Sequence, residues 1–276
     1  TSFAAPHVSG AAALLLQKNP ELQSQELKSL LMTTVQPVSN AYGQEFSLHE
    51  SGSGRLDIAN AYNAKLIISP TNFVINFSPE QLSIEKQLEL KLIEGEIEEI
   101  NVKFEGPEFI EFTHNIKNNK LQIELNVIGE EYGEHEGKIF INHEKTQYTI
   151  PVLMHYTEGS ILVNQENEKL FFEIVHPDKW SFAKISVTNS KNGNMDTTTT
   201  TPNKKTSIEI YDNGEYWIEA KIKVNENTSD AFNTIKINSL SEKIEKIELT
   251  NIPEKQIIII ISIVTIVGIV GLLIRK

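Results

Sequence analysis

Cysteine is absent from this chain, which excludes a disulfide framework and any thiol chemistry while leaving export open. Positive charge is also scarce. Against 25 Lys and Arg stand 37 Asp and Glu, a formal net charge of −12, and a surface of that sign argues against nucleic acid or an anionic lipid surface as a partner. Residues 1–65 hold four basic and five acidic side chains, so all but one of the net negative charges lie downstream. An acidic downstream region suits a solvated extracellular stalk.

With 276 residues, 39% of them hydrophobic, the chain can fill about two packed domains. Its first ten residues, TSFAAPHVSG, are the most informative. The Ala- and Leu-rich run from Ala4 to Leu16 predicts a helix, and Pro6 is tolerated only in a first turn, so the helix starts close to Ser2. Unpaired N–H groups and the positive end of the helix dipole gather there. They can stabilise negative charge developing on an acyl-transfer oxyanion beside the Ser2 hydroxyl. A Ser before a helix is most often only an N-cap, and the helix start alone favours that role.

The whole string shifts that balance. Thr1, Ser2, Ala4, Pro6, His7, Val8 and Gly10 fit the pattern Gly-Thr-Ser-x-Ala-x-Pro-His-Val-x-Gly, so the segment resembles the nucleophile region of subtilisin-like serine peptidases. A match that mixes Gly, Pro, His and Ser at fixed offsets is far more specific than a lone GxSxG. After Asn19-Pro20, SQELKSLLMTTVQPV predicts a second helix with Ser24 as its N-cap. The run Gly52 to Ala61 resembles the family's closing Gly-x-Gly segment, with Asp57 capping a last short helix.

The resemblance implies that Ser2 is the nucleophile, that Thr1 assists the oxyanion site, and that His7 is structural rather than the base. It also implies an Asp and a His upstream of Ser2, in the family order Asp, His, Ser. The chain starts inside the motif, without the Gly expected before Thr1. The expectation is therefore a C-terminal fragment of a longer protein, whose first helix is the central helix of a doubly wound α/β domain. Calcium sites, frequent in the family, would lie mainly in the missing peptidase region; no other cofactor is expected.

Beyond Lys65 the pattern changes to alternation. LIISPTNFVINFS, QLELKLIEG, INVKFEG, FIEFTHN, KLQIELNVI, GKIFINH and QYTIPVLMHY predict about seven strands, with a hairpin turning at His143 to Thr146. SILVNQ, KLFFEIVH, SFAKISVTNS, SIEIYD, GEYWIEAKIKV, AFNTIKIN and KIEKIELT predict about seven more. The expected fold class is mixed. A helical piece of a subtilisin-like α/β domain (1–65) precedes two all-β sandwiches of the immunoglobulin or fibronectin class (66–156 and 157–252), then a transmembrane helix (256–274). The Thr197 to Thr201 run reads as a mobile loop, with O-glycosylation a lesser reading.

Other candidates weigh less. His135 and His143, near Glu134, Glu136 and Glu144, match no established metal-ligand spacing, and the carboxylates read as a solvated face, so no metal is expected. Trp180 and Trp217, at strand positions, read as core rather than ligand-stacking rings. Asn76 and Asn227 head glycosylation sequons that acquire meaning only on export.

From Ile257 to Ile274 the chain runs 18 residues without a charge, enough to cross roughly 27 Å of hydrocarbon as a helix. Arg275 and Lys276 follow, placing the C-terminus in the cytoplasm and the rest outside. The sequence therefore reads as a serine endopeptidase acting on proteins or peptides, tethered to the outer face of the cell membrane by residues 256–274. The competing class is a non-catalytic adhesin or stalk with a degenerate peptidase segment. Substrate preference is not legible, because the pocket walls that select side chains lie mainly upstream.

Overall fold

The computed structural model describes residues 2–94 and 100–238, which fall within one compact unit spanning Thr1–Ser239. Thr1, the expected strand KIEKIELT and the apolar run Ile257 to Ile274 lie outside the described residues. Among the described residues no helix is long and apolar enough to cross a membrane.

The chain opens with helices α1 (Ala4–Lys18), α2 (Ser24–Thr33), α3 (Leu48–Ser51) and α4 (Ile58–Asn63). The cap of α2 is Gln23 rather than Ser24, because Gln23 and Glu26 satisfy each other's backbone N–H groups in a reciprocal capping box. Ser47 and Glu50 do the same for α3, a helix the sequence pattern did not indicate. Asp57 caps α4, accepting from the Asn60 amide at 2.9 Å.

Strands follow: β1 (Leu66–Ser69), β2 (Phe73–Phe77), β3 (Ser83–Leu92), β4 (Ile100–Glu105), β5 (Ile110–Lys117), β6 (Lys120–Val127), β7 (Gly133–His143) and β8 (Thr146–Tyr156). They form two four-stranded sheets, ordered β1-β3-β6-β5 and β2-β8-β7-β4. The run LIISPTNFVINFS is two strands rather than one. Pro70 lacks the N–H a ladder needs, and the chain changes sheet there, β1 pairing with β3 and β2 running parallel to β8. Asn118 and Asn119, with φ of 51° and 60°, close the β5–β6 hairpin in the left-handed conformation that Asn tolerates.

The remaining strands are β9 (Ser160–Glu166), β10 (Lys169–Val175), β11 (Trp180–Asn189), β12 (Met195–Thr200), β13 (Thr206–Glu209), β14 (Gly214–Val224) and β15 (Asn227–Ile237). They form a three-stranded sheet, β13-β10-β9, and a four-stranded one, β12-β11-β14-β15. The threonine run expected to be a loop is strand β12, paired from Ala183↔Thr200 to Thr188↔Met195. Threonine is β-branched and suits a pleated edge, and that preference outweighs the low complexity of the run. The described chain is thus mostly β, in several sheets with few helices, as β-sandwich modules require.

One apolar cluster joins the helices to the first sheets. Leu15, Leu30, Ala61 and Ala64 pack in the same core as Leu66, Ile68, Leu88, Ile139, Tyr148 and Ile150. The helices therefore complete the core beneath β1 and β8.

Candidate active site at the start of the first helix

Ser2 is exposed in the turn that leads into α1, where the backbone N–H groups of the first turn have no intrahelical partner. Phe3 is the N-cap residue and makes no side-chain cap bond, so those donors remain available to a group beside Ser2. His7 does not serve the hydroxyl. Its Nδ1 lies 2.7 Å from the Phe3 carbonyl oxygen, and because a carbonyl only accepts, that nitrogen carries the proton. The ring thus ties the first turn together, one turn beyond Ser2. Thr1 lies outside the described residues.

Helix α1 is apolar on more than one face. It buries Ala11 and Leu15 against the rest of the chain, while Phe3 is 88% exposed and Val8, Leu14 and Leu16 are also exposed. A helix apolar all round is one that packs on several sides. Here only one side is covered.

The segment carrying Ser2 is fixed to the β-region by a set of polar contacts. Ser29 on α2 bonds both backbone groups of Ile68, donating to its carbonyl at 2.8 Å and accepting from its amide at 2.9 Å. Tyr148 Oη accepts from the amides of Lys65 and Leu66 at 3.0 and 2.9 Å, and burial pushes that phenol up. Glu26 pairs with Lys91 on β3. That hydrogen bond, with one from the Gln23 amide, holds the Glu26 carboxyl below its usual range.

The carboxylates beside His135 and His143 belong to this set. Glu136 accepts from the Leu48 amide through both oxygens, at 2.8 and 2.9 Å, and so caps α3 from the neighbouring sheet. Glu134 meets His49 at 2.8 Å and His155 at 3.3 Å. Burial opposes its charged form, but the bonds and charges of His49 and His155 outweigh that and hold its pKa down. Glu144 pairs with Lys65 at 2.9 Å, which lowers its pKa as well. Lys138 pairs with Glu45. Glu134 and Glu144 are exposed, as a solvated face requires, whereas Glu136 is half-buried; alternation along β7 turns Glu134, Glu136 and Lys138 to the side on which the helical segment lies. His135 bonds instead to the Glu131 carbonyl at 2.8 Å, and His143 is buried. The period-two run Glu134, Glu136, Lys138 was the available signal for this contact surface.

The reading of Trp217 as core is corrected. Trp217 is 55% exposed because the alternation that buries Tyr216, Ile218, Ala220 and Ile222 turns it outward; Trp180 is half-buried. Asn76 sits in β2, its side chain 3.0 Å from His155 Nδ1. Asn227 is exposed at the start of β15.

Comparison with known proteins agrees with the N-terminal motif. Residues 1–54 match the model of the Subtilase family. The chain is similar to Subtilisin-like protease SBT1.6 of Arabidopsis thaliana, 38% identical over 80 residues that cover 26% of this chain and 10% of that protein. It is also similar to Minor extracellular protease Vpr of Bacillus subtilis (strain 168), 30% identical over 73 residues covering 26% and 9%. The chain thus spans about a tenth of the length of the curated relatives it matches. Among solved structures, a chimeric titin Z1Z2 aligns at 9% identity over 61% of this chain and 95% of that one, with a TM-score of 0.28; at that score the likeness carries no argument. The N-terminal part of this chain is thus similar to a segment of the subtilases.

Proposed function

We propose that this chain belongs to a subtilisin-like serine endopeptidase, held at the outer face of the cell membrane by residues 256–274, with Ser2 as nucleophile. One observation carries the reading: Ser2 stands exposed at the start of α1, inside a stretch that matches the Subtilase family. In this mechanism a histidine outside the chain takes the Ser2 proton as Oγ attacks the scissile carbonyl carbon, and an aspartate orients that histidine. The Ser2 amide, with Thr1 beside it, donates to the oxyanion. The histidine then protonates the leaving amine, and water releases the acyl group from Oγ.

The uncovered faces of α1 support the reading, since in a doubly wound domain that helix packs on a sheet. The polar contacts from α2, α3 and β7 support a further part of it, that the first β-module holds a fixed position relative to Ser2. The β-modules, taken as immunoglobulin- or fibronectin-like sandwiches, space the active site from the bilayer.

The test uses the parent protein and a fluorophosphonate probe. Labelling and peptide hydrolysis are expected, and Ser2→Ala should abolish labelling and lower turnover by roughly four to six orders of magnitude. Labelling that survives Ser2→Ala would overturn the nucleophile assignment. A parent sequence without the upstream Asp or His would favour the non-catalytic stalk instead.

A further inference from the structure

The second set of strands carries a groove that peptide hydrolysis does not use. It is a half-open groove at one end of the three-stranded sheet with a volume of about 690 Å³, within the roughly 300–1,000 Å³ of small-molecule sites. Its floor is the outer face of β9 and β10. Alternation buries Ile161, Leu170 and Phe172 and turns Asn164, opposite Phe171, and Leu162, opposite Glu173, toward solvent. Leu162 is 40% exposed there.

Trp180 and the turn from Thr201 to Lys205 form the wall. The turn is held by its own bonds. Thr206 Oγ1 donates to Thr200 Oγ1 at 2.9 Å with both residues buried, Thr200 Oγ1 donates to the Lys204 carbonyl at 3.1 Å, and the Lys204 amide donates to Thr201. The wall is therefore fixed before any ligand arrives, which lowers the entropy cost of binding.

The lining chemistry narrows the ligand. Apolar faces from Phe171, Trp180 and Leu162 alternate with the planar polar groups of Asn164, Glu173 and Asn203. Glu166 and Glu173 are balanced by Lys204 and Lys205, and Lys205 Nζ sits 5.2 Å from the centre of the Phe171 ring. A balanced lining gives an ion no net attraction. An entirely apolar ligand would strand the amide and carboxylate groups. A ligand without net charge satisfies both sets when it offers C–H faces for the rings and adjacent hydroxyls for the carboxylate and amide groups. We propose that this groove binds an uncharged saccharide chain, so that the second β-module is a glycan-binding element as well as a spacer.

Trp180 reports on the site directly. The chain has two tryptophans, and Trp217→Phe, on the outer face of β14, leaves Trp180 as the sole emitter. The full chain carrying that change, in a zwitterionic detergent without a sugar headgroup, is titrated with cellotriose, maltotriose, mannotriose and triacetylchitotriose. At least one should shift Trp180 emission saturably. Phe171→Ala should then weaken binding by about tenfold or more. Asn164→Ala and Glu173→Gln should weaken it several-fold with circular dichroism and melting temperature unchanged, which separates loss of the site from loss of the fold. No saturable shift with any of the four sugars up to about 10 mM, or full affinity in both the Asn164 and Glu173 variants, would overturn the proposal. A saturable shift with an uncharged peptide in place of the sugars would overturn it as well.

Discussion

Ser29 and Ile68 exchange two hydrogen bonds, the hydroxyl of Ser29 donating to the Ile68 carbonyl at 2.8 Å and accepting from its amide at 2.9 Å. β1 is the edge of its sheet, and an edge strand leaves a row of backbone groups unpaired. The single hydroxyl of a helix residue acts here as a neighbouring strand would. Because Ser29 is buried, water cannot replace it.

Ser29→Ala should therefore destabilise the chain by about 2–4 kcal/mol, since two buried backbone groups lose their partner. Ser24→Ala, at the position first taken for the cap of α2, should change stability by less than about 0.5 kcal/mol. Urea unfolding of both variants tests the contrast, and equal midpoints would refute the edge-closing role.

Tyr148→Phe keeps the ring in the core and removes only the hydroxyl that accepts from Lys65 and Leu66. A loss of about 1–3 kcal/mol is expected. Hydrogen exchange should quicken at Lys65 and Leu66 in particular, and a variant with unaltered exchange there would show that the bond does not hold the helix–strand junction.

Acid should loosen the contact between the helical segment and the first sheets. The carboxyls of Glu26 and Glu134 titrate below their usual range, so the folded state binds fewer protons than the unfolded one. Their contribution is complete above the ordinary carboxylate pKa of about 4.3 and is lost as pH falls through the lowered folded values. Falling pH also relieves the self-repulsion of a chain of net charge −12, so the informative quantity is a difference between proteins. Melting temperatures of the wild type and of Glu134→Gln should converge between about pH 5 and pH 3; a gap that stays constant over that interval would contradict the assignment.

His7→Ala in the parent protein should lower thermal stability or secretion, because the tie from Nδ1 to the Phe3 carbonyl is lost. Folded molecules should keep fluorophosphonate reactivity. A fully folded His7→Ala protein that fails to label would make His7 part of the catalytic machinery.

The uncharged run from Ile257 to Ile274 leads to one topological expectation. Protease added to intact cells should remove the β-modules while a C-terminal tag stays protected. Accessibility of that tag from outside would reverse the orientation.

Local rules carried the sequence a long way. The TSFAAPHVSG string placed Ser2 at a helix start because Pro6 permits helix only around a first turn, and most strands between Leu66 and Ile237 were legible because alternation and turn residues act over a few positions. What depends on neighbours distant in sequence was decided by the tertiary structure. Alternation says that Trp217 and Tyr216 face opposite ways but not which way is inward, and the sheet's partner chose Tyr216. Glu136 read as solvated because a carboxylate facing water and one facing the amide of Leu48, 88 residues away, look alike in a string of letters. The β-branched threonines favour a strand locally, but the pairing that makes them β12 depends on the edge that β11 offers. Spacing along the chain determines which groups share a face, whereas the packing of one face on another determines what those groups do.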